Sequence, residues 1–389
     1  MPSFISALLG ISLILSTHTA AYRQAAVPSG NTGDLVFSVV DASKPGNGFE
    51  FLKPFTKNII TQSEKDTLKA FVSNPQSNLE SVKKILAKYK TQIEVLKKIS
   101  DAPYFQDTNF VDPSKIDPLA TPKYLIALSE LNLLNAASVI VDTQAGKTVS
   151  AISSVKSGLG AHAKILSSYN SILTYAMFVK PGDELLSSIV YLLDSGKLNN
   201  SKYQEIVAGL DKAKPTGYWK VIQVNYASVL QSVKGEKSEA VKKDIQLYEA
   251  FLLNARSSIE QGICNQASYD KLDVLKNNKD VTNQEWWGAH NIIFEIFKNT
   301  CHRTDVLSLL KVKAGIILAK KNKKQFSSSL VELREYIGEL PKSAFDASAI
   351  KYVEKTGIVY TIGSDLRDAG GSSKTDGSDE LEPTYKIAK

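Results

Sequence analysis

Cysteine, histidine and methionine are all scarce in this chain, at 2, 4 and 2 among 389 residues. So few cysteines exclude a disulfide-dense scaffold, and with so few histidines they exclude a zinc array. No glycine-framed serine nucleophile occurs, nor a phosphate-cradling glycine–lysine loop or a dinucleotide fingerprint. The carboxylates Glu130 and Asp142 stand singly on a helical pattern, with nothing beside them to make an acid–base pair. An enzyme is therefore the minority reading. Acidic residues are the scarcer charge, 40 against 47 lysines and arginines, and the chain is mildly basic. What remains is 43 % hydrophobic and 22 % charged, which excludes both a wholly disordered chain and a polytopic membrane protein.

The N-terminus carries the first positive signal. Ile5 to Leu15 is an apolar run, short for a bilayer span and about the length of a signal-peptide core, and small residues at Thr19 and Ala21 suit a signal peptidase. No lysine or arginine precedes it. The expectation is a signal peptide over 1–21 and an exported protein, periplasmic or secreted; an uncleaved anchor or a buried N-terminal helix are the alternatives. Export would put Cys264 and Cys301 in an oxidising compartment, where a bridge would contribute about 3–4 kcal/mol. Two separate buried thiols are the equal alternative.

Residues 22–62 read as a Ser-, Gly- and Pro-rich spacer with a strand-like run at Leu35–Val40. A helical domain is expected over 63–325. Leu79, Val82, Ile85, Leu86, Tyr89, Ile93, Leu96 and Ile99 recur at threes and fours, predicting one amphipathic helix. Pro103, Pro113, Pro118 and Pro122 preclude a helix over 101–122, leaving a loop packed by Tyr104 and Phe105. Further helices are predicted near 122–145, 147–168, 170–195, 201–212, 217–233, 238–261, 282–300 and 304–322. Their connections are short, so consecutive helices should be antiparallel neighbours. Gly158 and Gly160 fall inside one helix and signal close packing or a kink. The fold class is mainly α, an array of antiparallel helix hairpins, solenoid-like or an irregular bundle. A C-terminal module over 326–371 follows: a short helix near 330–337 opened by a Ser329/Glu332 capping box, then a hairpin around Glu354–Gly357 and an acidic glycine loop. Residues 372–389 read as a mobile tail.

Four constellations bear on chemistry. Asp365, Asp368, Asp376 and Asp379 supply hard oxygen ligands in a flexible loop, the set calcium needs, and a plainly solvated tail is the alternative. His290, Glu295, Cys301 and His302 lie on or beside one helix, but their spacing suits zinc poorly. Trp286 and Trp287, with Phe294, Phe297 and His290, either line a groove or seal a helix junction. Lys311, Lys313, Lys320, Lys321, Lys323 and Lys324 concentrate positive charge at a helix end. They complement its dipole or touch an anionic membrane surface. No aromatic residues interleave these lysines, and nucleic acid is not an expected partner.

The tail carries a resemblance. Phe326, the Ser-Ser-Leu start at 328–330, Leu340-Pro341, Phe345-Asp346, Ile350–Tyr352, Gly357–Asp365 and Asp368–Gly371 follow in an order that resembles the C-terminal module of a family of uncharacterised bacterial exported helical proteins. The hairpin and acidic loop are similar to the C-terminal end of the major pseudopilins of type II secretion. The likeness runs over roughly residues 80 to 371, with its specific part in the tail. Ser327 stands where the family has proline, Ser343-Ala344 where it has aspartate-proline, and Pro181-Gly182 interrupts a helix that is usually continuous. The resemblance implies a helical fold, an envelope location and calcium in the acidic loop, with no reaction. The expectation is an exported helical scaffold that binds an envelope protein or peptide. A hydrolase or small-ligand protein with a groove near Trp286 and Trp287 is one alternative. A structural component of a secretion or pilus system is another, although the pilin methylation motif is missing.

Overall fold

Thr61 opens the first helix. Its hydroxyl accepts from the Glu64 N–H (3.3 Å) while the Glu64 carboxylate accepts from the Thr61 N–H (2.9 Å), a reciprocal cap that starts α1 (Gln62–Ser73). The single helix expected from the apolar spacing of 79–99 is two, α2 (Leu79–Lys88) and α3 (Lys90–Asp101). They hinge at Tyr89, where φ −108 and ψ 23 leave the helical region. The hinge turns Tyr89 toward α1, and its hydroxyl donates to Glu64 at 2.9 Å.

In this computed structural model the described residues are 32–36, 39–116, 122–179, 184–235, 237–260, 264, 284–322, 330–363, 366, 368, 370–371 and 384–386. The expected signal peptide at 1–21 lies outside them. Of the strand expected at 35–40, Leu35 instead closes a 3-10 turn (Thr32–Leu35) and is fully buried, and residues 37 and 38 lie outside the described ones.

The chain is mainly helical with a small antiparallel sheet near the C-terminus. At its centre stands α4 (Leu125–Gln144), apolar on nearly every side. Among the described residues it alone is long and apolar enough to cross a membrane, yet 67 % of its most apolar window is buried within the protein. It is a core helix. Gly146, at φ 72, reverses the chain into α5 (Thr148–Leu166). Here the two glycines act through their missing side chains. A Cβ on Gly158 would sit 2.7 Å from Leu185, and one on Gly160 would sit 2.1 Å from the Ser100 hydroxyl. Close packing, rather than a kink, is their role.

Next come α6 (Ile172–Val179), α7 (Glu184–Asp194), α8 (Asn200–Lys212), α9 (Tyr218–Ser232) and α10 (Glu239–Glu260). The helix expected over 170–195 is thus seen as two pieces. The reverse happens downstream, where the two helices expected at 282–300 and 304–322 are one, α11 (Gln284–Lys321). The polar residues at the expected break find partners inside the helix. Thr300 donates to the Ile296 carbonyl (2.6 Å) and Thr304 to the Thr300 carbonyl (2.9 Å), so no backbone group has to leave the ladder.

A 3-10 turn at Leu330–Leu333 leads into α12 (Arg334–Ile337), which stops at Gly338 with φ 72. The hairpin follows as expected. β1 (Lys351–Val353) pairs antiparallel with β2 (Ile358–Tyr360), with Val353 opposite Ile358. The expected mobile tail is corrected at one place, because β3 (Thr384–Lys386) pairs with the other side of β2, Ile358 opposite Lys386. Without it β2 would offer a row of unpaired backbone groups. The largest core cluster joins α5, α7, α8 and α11 to Ile337, Ile350, Tyr352 and Val359 of the C-terminal module. The module is therefore packed onto the helical body.

Candidate functional site

The most built concavity lies where the N-terminal arm crosses the proline-rich loop. Asn47, 3 % exposed, fastens the two together. Its Oδ1 accepts from the Phe49 N–H (3.1 Å) and the Gln106 N–H (2.9 Å), and its Nδ2 donates to the Gln106 carbonyl (2.8 Å). Phe49 is thereby set edge-on to Phe105 (5.9 Å) and to Tyr124 (5.4 Å). The Tyr124 hydroxyl donates to Asp107 Oδ2 at 2.7 Å, and Asp107 Oδ1 accepts from the Asn109 N–H and Nδ2, both at 2.9 Å. Burial pushes both the Asp107 carboxyl and the Tyr124 phenol up from their ordinary values. Glu130, which the sequence left as a lone carboxylate, is fully buried and holds the same arm lower down. It accepts from the Ile59 N–H (2.6 Å) and the Ile60 N–H (3.3 Å), with Lys65 Nζ at 3.6 Å.

Two depressions result. One, of about 400 Å³, has Phe49, Leu52, Phe55, Phe110 and Tyr124 among its walls, with Lys53 and Lys123 at its rim. The other, of about 670 Å³, lies against Val39, Val40, Pro45, Glu50 and Val111. Lys53 and Thr108 line both and form the ridge between them. Lys53 Nζ pairs with Glu50 at 2.5 Å and stands 5.8 Å from the Phe49 ring centre. These walls offer aromatic faces, hydroxyls, a carboxamide and ammonium groups. Such groups bind, as do the carboxylates of Asp41 and Glu50 in the second lining, where the Ser43 hydroxyl (2.5 Å) and N–H (3.0 Å) both donate to Asp41 in an exposed local turn.

The residues singled out in the sequence fall elsewhere. Cys264 and Cys301 are joined in a disulfide, with their Cα atoms 6.3 Å apart, so Cys301 has no thiolate to offer a metal. The Cys264 N–H donates to the Ala344 carbonyl (3.1 Å), and Phe345 packs on the bridge. One helical turn beyond Cys301, the buried Asp305 accepts from the Ala344 N–H (2.6 Å) and the Ser343 hydroxyl (3.0 Å). Burial pushes its carboxyl up to about 7 against the pull of those donors, with Asp346 adding to the rise. His302 is pushed down to about 4 by burial and by the neighbouring Lys298 and Arg303. Sequence reasoning missed Asp305. Its one visible signal was an acidic residue directly before the apolar run that starts at Val306. The buried His162, also missed, has Nε2 at 3.0 Å from Asn132 Oδ1 and Nδ1 at 3.3 Å from the Arg303 guanidinium. These contacts tie α4, α5 and α11 together.

Trp286, Trp287, His290, Phe294 and Glu295 lie on the α11 backbone, and their side chains fall outside the described residues. Lys311 and Lys313, expected on a positively charged surface, point inward. They are buried and pair with Asp211 and Asp194, each at 2.8 Å. Their helix has to cross the apolar faces of α7 and α8, and the two carboxylates meet them there. Lys321 donates to the Leu198 carbonyl, Lys320 is exposed, and Lys323 and Lys324 lie outside the described residues. Of the four aspartates proposed for calcium, Asp365, Asp376 and Asp379 also lie outside. Asp368 pairs with Lys351 and accepts from the Gly370 N–H (3.0 Å) and the Tyr360 hydroxyl (3.1 Å). Lys351 first, and then the Gly370 N–H, hold its carboxyl below the usual range. Among the described residues no three metal-ligating side chains converge. Compared with protein-family models, curated proteins and solved structures, the chain matches none.

Proposed function

We propose that this protein is an exported helical scaffold whose task is to bind another protein or peptide of the cell envelope. The observation that carries the reading is the paired depression on the N-terminal arm. Its floor is fixed from below by buried Asn47 and Glu130, while Lys53, Thr56 and Lys123 stay exposed on its rim. A preset aromatic floor with a polar rim is the anatomy of a recognition surface. Export is supported by the apolar run at Ile5–Leu15 and by the Cys264–Cys301 disulfide, which suits an oxidising compartment.

The test combines location with contact. Fractionation and mass measurement of the mature chain should find it outside the cytosol with 1–21 removed. A photoreactive residue at exposed Thr56 should yield a discrete envelope adduct in cells. An uncut cytoplasmic pool that gives no adduct would refute the reading.

A further inference from the structure

The sequence holds one complete Asn-x-Ser/Thr triplet, Asn199-Asn200-Ser201, and the fold sets it on the exposed turn that opens α8. In an exported chain that triplet is the acceptor signal for an N-linked glycan. The turn is anchored from beneath by Leu198, which is 1 % exposed, and by buried Tyr203, whose hydroxyl donates to the Leu193 carbonyl (3.1 Å). The polar neighbours of Asn199 are turned to the body of the protein. Lys197 Nζ donates to the Thr143 and Gln144 carbonyls, Asn200 Nδ2 to Asn322 Oδ1, and Lys202 Nζ to the Thr148 hydroxyl. Asn199 differs. It is exposed, its backbone is extended (φ −87, ψ 171), and its Oδ1 accepts from the Lys202 N–H at 3.0 Å to cap α8. Its Nδ2 meets no acceptor among the described residues, and the exposed Ser201 hydroxyl likewise has no partner among them. The nearest variant of the triplet, Asn299-Thr300-Cys301, is already engaged: buried Thr300 donates to the Ile296 carbonyl and Cys301 is bonded to Cys264.

We propose that Asn199 Nδ2 carries an N-linked glycan. The transfer joins Nδ2 to the anomeric carbon of a lipid-linked oligosaccharide. That carbon's bond to the pyrophosphate oxygen breaks, the lipid pyrophosphate leaves, and one amide proton passes to a base of the transferring enzyme. It occurs before α8 closes, because in the fold Ser201 already lies in the first turn of that helix. The product then fits the fold without adjustment. The modified amide keeps its carbonyl oxygen, so the bond from the Lys202 N–H survives, and the sugar leaves from the nitrogen that has no acceptor. The glycan also bears on where a partner can dock. The α4–α5 turn, this loop and the end of α11 are tied into one pole by Lys197, by Asn200 and by Lys321, which donates to the Leu198 carbonyl. A hydrated oligosaccharide at Asn199 bars close protein contact at that pole. This modification rests on the export proposed above and adds a covalent site to it.

The mature chain is isolated from its own cells and compared before and after an N-glycanase, which cleaves the linkage and leaves aspartate. The untreated chain should run as a heavier band that collapses on treatment, and peptide mapping should find aspartate at 199. Asn199→Gln and Ser201→Ala, expressed in the same cells, should each abolish the shift, whereas Ser201→Thr should keep it. Ser201→Ala leaves the Asn199 cap in place, so it should melt with the deglycosylated parent, and its loss of shift then reports the triplet rather than misfolding. A glycan that persists in Ser201→Ala overturns the assignment. A bare Asn199 on an exported chain lacking 1–21 overturns the proposal and keeps the export reading; an uncut cytosolic chain with a bare Asn199 defeats both.

Discussion

Asp305 and His302 are three residues apart on α11 and are shifted in opposite directions, and their pH linkage can be worked through. The Asp305 carboxyl, near 3.8 in an unfolded chain, is raised to about 7 by burial beneath Ser343 and Ala344. A raised acid binds its proton more tightly in the fold. Its contribution is complete below about pH 4 and is lost as pH climbs toward 7. At about 1.4 kcal/mol per pH unit, that loss is about 3 kcal/mol between pH 4 and 6.5. His302 falls from 6.5 to about 4, so the unfolded chain binds its proton over the same interval. Stability then rises by about 3 kcal/mol as pH increases from 4 to 6.5. The two slopes oppose each other and largely cancel, which leaves the parent protein the shallower fall that the raised Asp107 carboxyl contributes. Carboxylates held low, such as Asp112 at about 2, lose their contribution only below about pH 4 and stay out of the way.

Substitution separates the pair. Asp305→Asn leaves the His302 slope alone, and urea unfolding should show stability rising by about 3 kcal/mol from pH 4 to 6.5. His302→Gln should show a fall of similar size. If Asp305→Asn leaves the pH profile unchanged, the carboxyl is not held in its neutral form and the reasoning fails.

Other outcomes follow from single contacts. Glu130→Ala strands Lys65 and two backbone N–H groups in the core and should cost about 3–5 kcal/mol in chemical denaturation, whereas Lys65→Met, which removes the charge that needs a partner, should cost clearly less. Reducing the Cys264–Cys301 bridge, which closes a loop of 37 residues, should lower stability by about 4 kcal/mol, read as the difference in melting between oxidised and dithiothreitol-treated protein. Gly217→Ala would set a Cβ 1.7 Å from the Leu166 carbonyl oxygen, a backbone atom that cannot swing aside. The expected cost is about 3 kcal/mol or more, seen as a lower denaturant midpoint, and an unchanged midpoint would contradict the packing described.

Local chemistry was legible where one residue type decides the matter. Gly338 stopped a helix, Glu354–Gly357 turned a hairpin, and the described residues 102–116, with Pro103 and Pro113, form no α-helix, only short 3-10 turns. Periodicity located helices well but not their ends. It carried α2 across Tyr89 because the apolar spacing continues there, while the carboxylate of Glu64 on another helix, which accepts from the Tyr89 hydroxyl, accompanies the hinge. It divided α11 at 300–304, where Thr300 and Thr304 are in fact held by i−4 hydrogen bonds and Asp305 by partners in the C-terminal module. The lysines show the same limit. Lys311 and Lys313 look like any helix-end charges until α7 and α8 bring Asp194 and Asp211 beside them. The groove was not legible at all, because its walls come from 39–56, 108–111 and 122–124, and no periodicity joins those segments.

At 38 residues α11 is about 57 Å long, and its side chains enter several separate apolar clusters as well as the disulfide junction. A rod shared in this way leaves little room for piecemeal opening. Amide protons along Phe297–Ala319 should therefore exchange with deuterium only when the whole molecule opens, with one common opening free energy. Disturbances near Cys301 and near Lys313 should then be felt alike across the protein.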